Sequence, residues 1–258
     1  MFDQIYPFFA YIRYFLSKVD RHSLQAPFAY QVYEGLKEFA KTQRSPTLES
    51  KRKKLLSTLT KITIQDHGTG SLYIKNPVRK ISSITRHSSS KPKFSLLYQY
   101  FCSLTQARVV VELGTCVGLT TSYLAQSTKG EVNTFEGAEE LAQVAKTTFS
   151  GYTNIHLIAG RIQETLPVFL QGISSVDFVL IDAHHNYPAT IQFWETLLPF
   201  LKKDSIVAVG DIHRSKEMEK AWKELKTHSA VTMSMDFYEC GILFFTPGII
   251  KQHHILHY

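Results

Sequence analysis

Only three cysteines occur in the 258 residues, at positions 102, 116 and 240. They form neither a Cys-x-x-Cys pair nor a ladder of spacings. This excludes a disulfide-stapled scaffold and argues against a thiolate metal site. Such scatter suits a reducing compartment, and a cytoplasmic location is expected. No apolar run approaches the roughly 20 residues that a membrane-spanning helix needs. The aromatic N-terminus, "MFDQIYPFFAYIRYFLSKVD", is interrupted by Asp3, Arg13 and Lys18. It has no basic leader region and no small-residue cleavage site, so it does not read as a signal peptide. Zinc-finger spacings and interleaved aromatic and basic residues of the RNA-binding type are also missing, which argues against nucleic acid as a partner.

What is present is ordinary for a soluble globular chain: 44% hydrophobic and 20% charged residues. That suffices for one substantial core with an appendage. The net charge of +7 is uneven. Residues 1–93 carry 17 Lys and Arg against 6 Asp and Glu, whereas residues 94–258 carry 12 against 16. A basic first third can draw an anionic substrate, a nucleic acid or a membrane surface toward the molecule. Phe2, Ile5, Phe9, Ile12, Leu16 and Val19 recur at helical spacing. They predict a helix packed on the main domain or on a second subunit, with a membrane-surface helix as the alternative. The aromatics Tyr6, Phe8, Phe9, Tyr11, Tyr30 and Tyr33 leave open an apolar pocket or a homodimer contact.

The chain divides near residue 93. The first part reads as a helical cap with a Gly/Ser element, "DHGTGS" (66–71), and a Ser/Lys/Pro segment, "HSSSKPK" (87–93). The second part alternates: strands at 108–113, 131–136, 154–160, 176–183 and 205–212, with helices at 118–127, 139–149, 162–170, 188–201 and 215–228. Such alternation implies a mostly parallel sheet covered on both faces. Residues 230–245 read as two strands with no helix between them, so an antiparallel hairpin completes a seven-stranded sheet. The closing "KQHHILHY" reads as a strand or tail. In open sheets of this kind the ligand sits at the carboxyl ends of the strands, near the switch in strand order. Glu112–Gly118, Glu136, Gly160–Arg161, Asp182–His185 and Asp211–His213 all fall on that rim.

The first turn, "VVVELGTCVGLTTSYLA", carries Glu-x-Gly-x-x-x-Gly. Glycines at 114 and 118 let a ligand approach backbone N–H groups at a helix start. The acid Glu112 suits a cationic group better than a pyrophosphate. Glu136 lies 24 residues further on, near the offset at which a carboxylate grips ribose hydroxyls. Ammonium, carboxylate and ribose together describe S-adenosylmethionine. A nicotinamide dinucleotide fits the glycine pattern and the hairpin less well.

With these residues in view, the sequence over about 87–247 resembles the class I S-adenosylmethionine-dependent methyltransferases, and within them small-molecule O-methyltransferases similar to catechol O-methyltransferase. "HSLQAPF" (22–28), "DHGTGS" and "DIHRS" (211–215) also resemble a Bacteroidetes-type branch of bacterial methyltransferases. The resemblance implies a Rossmann-like α/β fold and S-adenosylmethionine as cofactor. Glu112, Gly114, Thr115, Gly118 and Thr120 would hold its methionine end, and Glu136 its ribose. Gly160, Arg161 and Ile162 would border its adenine. Asp182 would lie beside the sulfonium and a small-molecule acceptor, and Ser88–Lys91 would cover the cofactor as part of the cap.

The stretch "IDAHHNYP" (181–188) then decides the chemistry. Metal-dependent relatives use an Asp after the fourth strand and a paired Asp-Asn or Asp-Asp after the fifth. Asp182 matches the first, but Gly210 and Asp211 occupy the pair, so one carboxylate is missing. Two carboxylates are a thin set for a hard cation, and a divalent metal is not favoured. His185 becomes the expected general base, oriented by Asp182 or Asp211. His213 is a candidate second polar wall of the acceptor site, and His184 is read as solvent-facing. The expected reaction is methyl transfer to an oxygen. The chain lacks the Asn/Asp-Pro-Pro-aromatic signature of amino-directed base methylation, so an N- or nucleic-acid-directed enzyme is the weaker alternative. A second alternative is a cofactor-binding protein without catalysis.

Overall fold

The computed structural model describes residues 2–64 and 77–258. The "DHGTGS" element at 66–71 lies outside the described residues. In chain order the first part comprises α1 (Phe2–Ser17), α2 (Pro27–Thr42), α3 (Pro46–Ser57), β1 (Lys61–Thr63), β2 (Val78–Lys80), α4 (Ile81–Ser88) and α5 (Pro92–Ser103). Alternation follows: β3 (Val109–Leu113), α6 (Leu119–Gln126), β4 (Glu131–Glu136), α7 (Glu139–Thr148), β5 (Ile155–Ala159), α8 (Ile162–Leu170), β6 (Val176–Ile181), α9 (Tyr187–Leu197), β7 (Leu201–Gly210) and α10 (Lys216–Thr227). The chain closes with β8 (Met233–Asp236), β9 (Cys240–Phe244) and β10 (Gln252–Ile255).

The main sheet runs β10-β8-β9-β7-β6-β3-β4-β5. Strands β3 to β7 are mutually parallel, and β9 runs antiparallel to both β7 and β8. The expected seven strands gain an eighth, because β10 pairs in parallel with β8 from Gln252↔Met233 to Ile255↔Asp236. The cap also differs from a purely helical one: β1 and β2 form a two-stranded antiparallel ribbon. The helix expected to reach residue 201 ends at Leu197 and passes through a short 3-10 turn, Leu198–Phe200. Pro199, lacking an N–H, cannot continue an α-helical ladder.

Strand side chains alternate between two cores, as a period of two requires. Val110, Phe178, Leu180, Ile206, Ala208 and Ile242 face α2 and α5. Their neighbours Val111, Val179, Ile181, Val207, Val209 and Leu243 face α8, α9 and α10. Residues from both sides of position 93, such as Leu36 and Phe101, share the first core. A third cluster joins the ribbon and α4 (Ile62, Ile64, Ile81, Ile84) to Leu119, Ala138 and Leu141. It brings the N-terminal part over the carboxyl rim of the sheet. Two helix starts are capped where the sequence allows it: Asn186 accepts from the Ala189 N–H and Ser215 from the Met218 N–H. Among the described residues, no helix is long and apolar enough to cross a membrane.

Candidate active site

The strands β3, β4, β6 and β7 end on one rim, which opens into a cavity of about 730 Å³. The order of connection switches between β3 and β6, where the loops diverge and leave a crevice. Backbone strain concentrates there. Among the described residues, six other than glycine have positive φ, and five of them line the cavity: Cys116, His184, His185, Asp211 and Tyr238. Left-handed residues of this kind cost of order 1–3 kcal/mol each and persist where surrounding contacts over-determine them.

One end of the cavity is built from the turn after β3 and the end of β4. Gly114 (φ +103°) brings its Cα against the Asp182 carbonyl, a close approach that a Cβ would block. Thr115, Cys116 and Thr120 line the wall beyond it. The Glu136 carboxylate accepts the Cys116 N–H at 2.9 Å and the Ala138 N–H at 3.0 Å while bordering the cavity. Both oxygens of this carboxylate thus act as acceptors at the cavity edge. Ile162 closes the wall from α8.

Four further residues that the resemblance places around the cofactor do not line the cavity. Glu112 is wholly buried beneath the cavity floor. Its Oε2 accepts from Thr121 at 2.5 Å and Thr134 at 2.6 Å, and Oε1 has no hydrogen-bond partner. Burial pushes its carboxyl up to about 8. Its route to the cavity runs through Thr134 to Thr115, whose hydroxyls are 2.6 Å apart. Gly118 turns left-handed (φ +77°) to start α6, and its Cα faces Phe149 and Ala145 rather than a ligand. Gly160 and Arg161 form the turn that opens α8, with Arg161 exposed and paired to Glu164 at 3.5 Å. Only Ile162 of that trio reaches the cavity.

The other end gathers Asp182, His185, Asp211 and His213, as the strand ends predict. Asp182 accepts from the Ser90 hydroxyl at 3.3 Å. Burial pushes its carboxyl above its ordinary value, and the nearby His185 pulls it back. His185 Nδ1 stands 3.6 Å from Asp211 Oδ2, which also meets Arg214 at 3.4 Å. Gly210 explains why Asp182 can sit there: Asp182 Oδ1 occupies the space where a Cβ on residue 210 would lie. The position that breaks the paired-carboxylate pattern is therefore filled by the carboxylate of the neighbouring strand. Gly210→Ala is expected to destabilise the fold by about 1–3 kcal/mol through overpacking. In an Asp182→Ala background most of that cost should disappear, because the colliding atom is gone. Thermal unfolding of the four proteins checks this, and an unchanged cost would mean that another atom is the obstacle.

Several residues at this end escape a reading of motifs. The hairpin turn between β8 and β9 reaches the rim because Gly210 pairs with Cys240 across antiparallel strands. It delivers Tyr238 and Glu239. Tyr238 stacks on His213 at 5.6 Å, and Glu239 pairs with Lys91 at 2.9 Å. His213 Nε2 lies 2.8 Å from Asp236, a buried carboxylate that also accepts from Trp222 Nε1 and the Tyr238 N–H. The other ring nitrogen, Nδ1, has no hydrogen-bond partner. Tyr98 of α5 lines the same end, its hydroxyl pushed well above its ordinary value by burial. Arg52, largely buried in α3, donates to the Ser90 carbonyl at 2.9 Å and so holds the 88–91 segment across the cavity. No signal in the sequence linked Arg52 or Asp236 to the rim, since their partners are 38 and 23 residues away. Among the described residues, no three His, Cys, Asp or Glu side chains converge closely enough to hold a metal ion.

A sequence profile for a family described as a methyltransferase domain matches residues 111–212, from β3 to just beyond β7. These are the strands whose ends build the cavity. The fold is that of a class I methyltransferase. None of the curated proteins matches the sequence. Among solved structures, this methyltransferase fold is similar to the O-methyltransferase TomG from Streptomyces achromogenes, determined in complex with S-adenosylmethionine. The TM-score is 0.59 at 17% identity over 79% of this chain and 91% of that one. It is also similar to an O-methyltransferase from Bacillus cereus in complex with S-adenosylhomocysteine (TM-score 0.58, 13% identity, 79% and 92% of the chains). The S-adenosylhomocysteine-bound methyltransferase PaMTH1 of Podospora anserina gives a TM-score of 0.58 at 12% identity, over 86% and 97% of the chains.

Proposed function

We propose that this chain transfers the methyl group of S-adenosylmethionine to an oxygen of a small-molecule acceptor. The observation that carries this reading is the two-ended cavity, with Glu136 at one end and the His185–Asp211 pair at the other. The chemistry of the first end suits the cofactor: a carboxylate at the cavity edge that would accept from a ribose, and a glycine turn along the cavity wall. Gly114, Thr115, Thr120, Glu136 and Ile162 would hold the group, with Glu112 and Gly118 shaping the turn from behind. Bound there, S-adenosylmethionine would supply an electrophilic methyl carbon and a thioether leaving group.

The chain's own residues have the remaining tasks of positioning the acceptor and taking its proton. His185 faces Asp211 through Nδ1, which leaves Nε2 to receive the proton. The 3.6 Å separation is longer than a hydrogen bond; such pairs commonly tighten when substrate binds. Asp182 lies between the two ends and is tied to Ser90 of the covering segment. Residues 1–93 act in this proposal as a cap that shapes the acceptor end through Pro7, Arg86 and Ser88–Lys91. Three free cysteines support a reducing compartment such as the cytoplasm. The likeness to a Bacteroidetes-type branch rests on "HSLQAPF", "DHGTGS" and "DIHRS" and adds no chemistry.

Glu136→Ala is expected to weaken S-adenosylhomocysteine binding by at least roughly 1.5 kcal/mol, a tenfold or larger rise in Kd, as for loss of a charged hydrogen-bond partner. Titration calorimetry measures it. An unchanged Kd in a protein with an unchanged circular dichroism spectrum would remove the ribose assignment.

A further inference from the structure

Helix α1 presents an apolar face to solvent. Phe8 is 63% exposed, Phe9 56%, Phe15 53% and Leu16 77%, and Ile5 and Ile12 extend the same stripe. These positions recur at three- and four-residue steps, so they lie along one side of the helix. Exposed apolar surface this continuous marks an interaction site rather than ordinary surface scatter.

The helix is locked in this orientation. Its inner side, Ala10 and Tyr14, is buried. The Tyr14 hydroxyl donates to the Leu256 carbonyl at 2.6 Å, and the Tyr238 hydroxyl donates to the Pro7 carbonyl at 2.6 Å. Arg13 pairs with Glu219 at 2.7 Å, and Val19 bridges to Leu256 just beyond the helix. Rolling α1 inward to hide the stripe would break all of these contacts. The stripe is therefore held open to a partner from outside.

Charge selects the occupant. An anionic lipid surface would need cations beside the stripe. Of the cations nearest the stripe, Arg13 is paired with Glu219 and Arg21 with Glu34, and Lys18 lies over the Phe15 ring at 4.2 Å, which leaves one lysine at the edge of the stripe rather than a basic cluster. The basic excess of the N-terminal part falls in residues 51–93, outside α1, whereas residues 1–50 carry 6 Lys and Arg against 5 Asp and Glu. An apolar face with a single lysine at its edge instead resembles the centre of a homodimer interface. The area also suffices: with aromatic side chains of 150–250 Å² each, the stripe offers roughly 600 Å² per chain. A standard interface buries about 800 Å² per partner, and the rim supplies the remainder. The stripe is self-complementary as well. An antiparallel two-fold pairing sets Ile5 against the second copy's Leu16, and Phe9 against its Ile12, as an isologous contact requires.

The geometry points to α1 as the interface through which a second copy of this chain docks, helix against helix. Pro7 of the same helix lines the cavity, so this interface borders the acceptor end.

Light scattering coupled to size exclusion on the full chain tests this at micromolar concentration. The wild-type protein should run at twice the mass of the chain. The Phe9→Lys/Leu16→Lys variant should run as a monomer with unchanged circular dichroism and S-adenosylhomocysteine affinity. Thiols introduced by Ile5→Cys and Leu16→Cys should cross-link two chains on mild oxidation, a readout that survives if the lysine variant does not fold. A monomeric wild type overturns the proposal. So does a dimer that persists in the lysine variant, or one that the paired thiols do not cross-link. Co-sedimentation of wild type, but not of the variant, with vesicles of phosphatidylcholine and phosphatidylglycerol would assign the face to a membrane and equally overturn it.

Discussion

Replacing His185 with alanine is expected to lower kcat by about 10²–10⁴-fold, the usual contribution of a positioned general base. Affinity for S-adenosylhomocysteine should hardly change, because the imidazole lies at the acceptor end, away from Glu136. The expectation rests on placement. The His185 N–H bonds the Ala183 carbonyl at 2.7 Å in a left-handed turn (φ +46°), and the following Asn186 caps α9. Those contacts hold the imidazole against Asp211 on the cavity wall. Transfer of labelled methyl groups from S-adenosylmethionine to an acceptor found by screening gives kcat, and calorimetry gives the affinity. His213→Ala is the necessary comparison, because His213 has the tighter carboxylate partner in Asp236. If His213→Ala costs as much and His185→Ala costs little, the base is His213. If EDTA abolishes turnover, Mg²⁺ restores it and Asp211→Ala is as damaging as His185→Ala, a metal activates the acceptor instead.

The second large effect concerns stability. Glu112 is fully buried with one oxygen unpartnered, and burial raises its carboxyl from 4.5 to about 8. A carboxyl that is harder to ionise in the fold than in the unfolded chain favours the fold most when protonated. Its contribution is complete below about pH 4.5 and is lost as pH rises toward 8. At pH 7 the loss amounts to roughly 3 kcal/mol, about 1.4 kcal/mol for each pH unit between the unfolded value and the working pH. Glu112→Gln removes the titration. Measured by urea unfolding between pH 5 and pH 8, wild-type stability should fall relative to the variant by about that amount as pH rises. Parallel curves would show that the Glu112 carboxyl ionises alike in both states. The same chain of hydroxyls, Thr134 to Thr115, connects this buried acid to the cofactor end. A ligand that orders Thr115 should therefore alter the pH dependence.

The sequence by itself determined the sheet. Runs such as "RVVVEL" and "VDFVLI" are apolar on both sides, and only a parallel strand covered on two faces buries both. The intervening amphipathic segments read as helices for the same reason, and their order placed Glu136, Asp182, His185 and Asp211 on one rim. That much follows from periodicities of two and 3.6, which are local. The tertiary structure decided what depends on pairing between distant segments. It set Glu112 below the floor, where Thr121 of α6 and Thr134 of β4 donate to its carboxylate. It brought Tyr238 and Asp236 to the site through an antiparallel register that no local pattern encodes. It showed Gly210 to be the space that Asp182 fills, where the motif alone registered a missing carboxylate. It also fixed which side of α1 points inward: Ala10 and Tyr14 are buried, whereas Ile5, Phe9, Ile12 and Leu16 of the periodic stripe stay exposed instead of packing on the main domain.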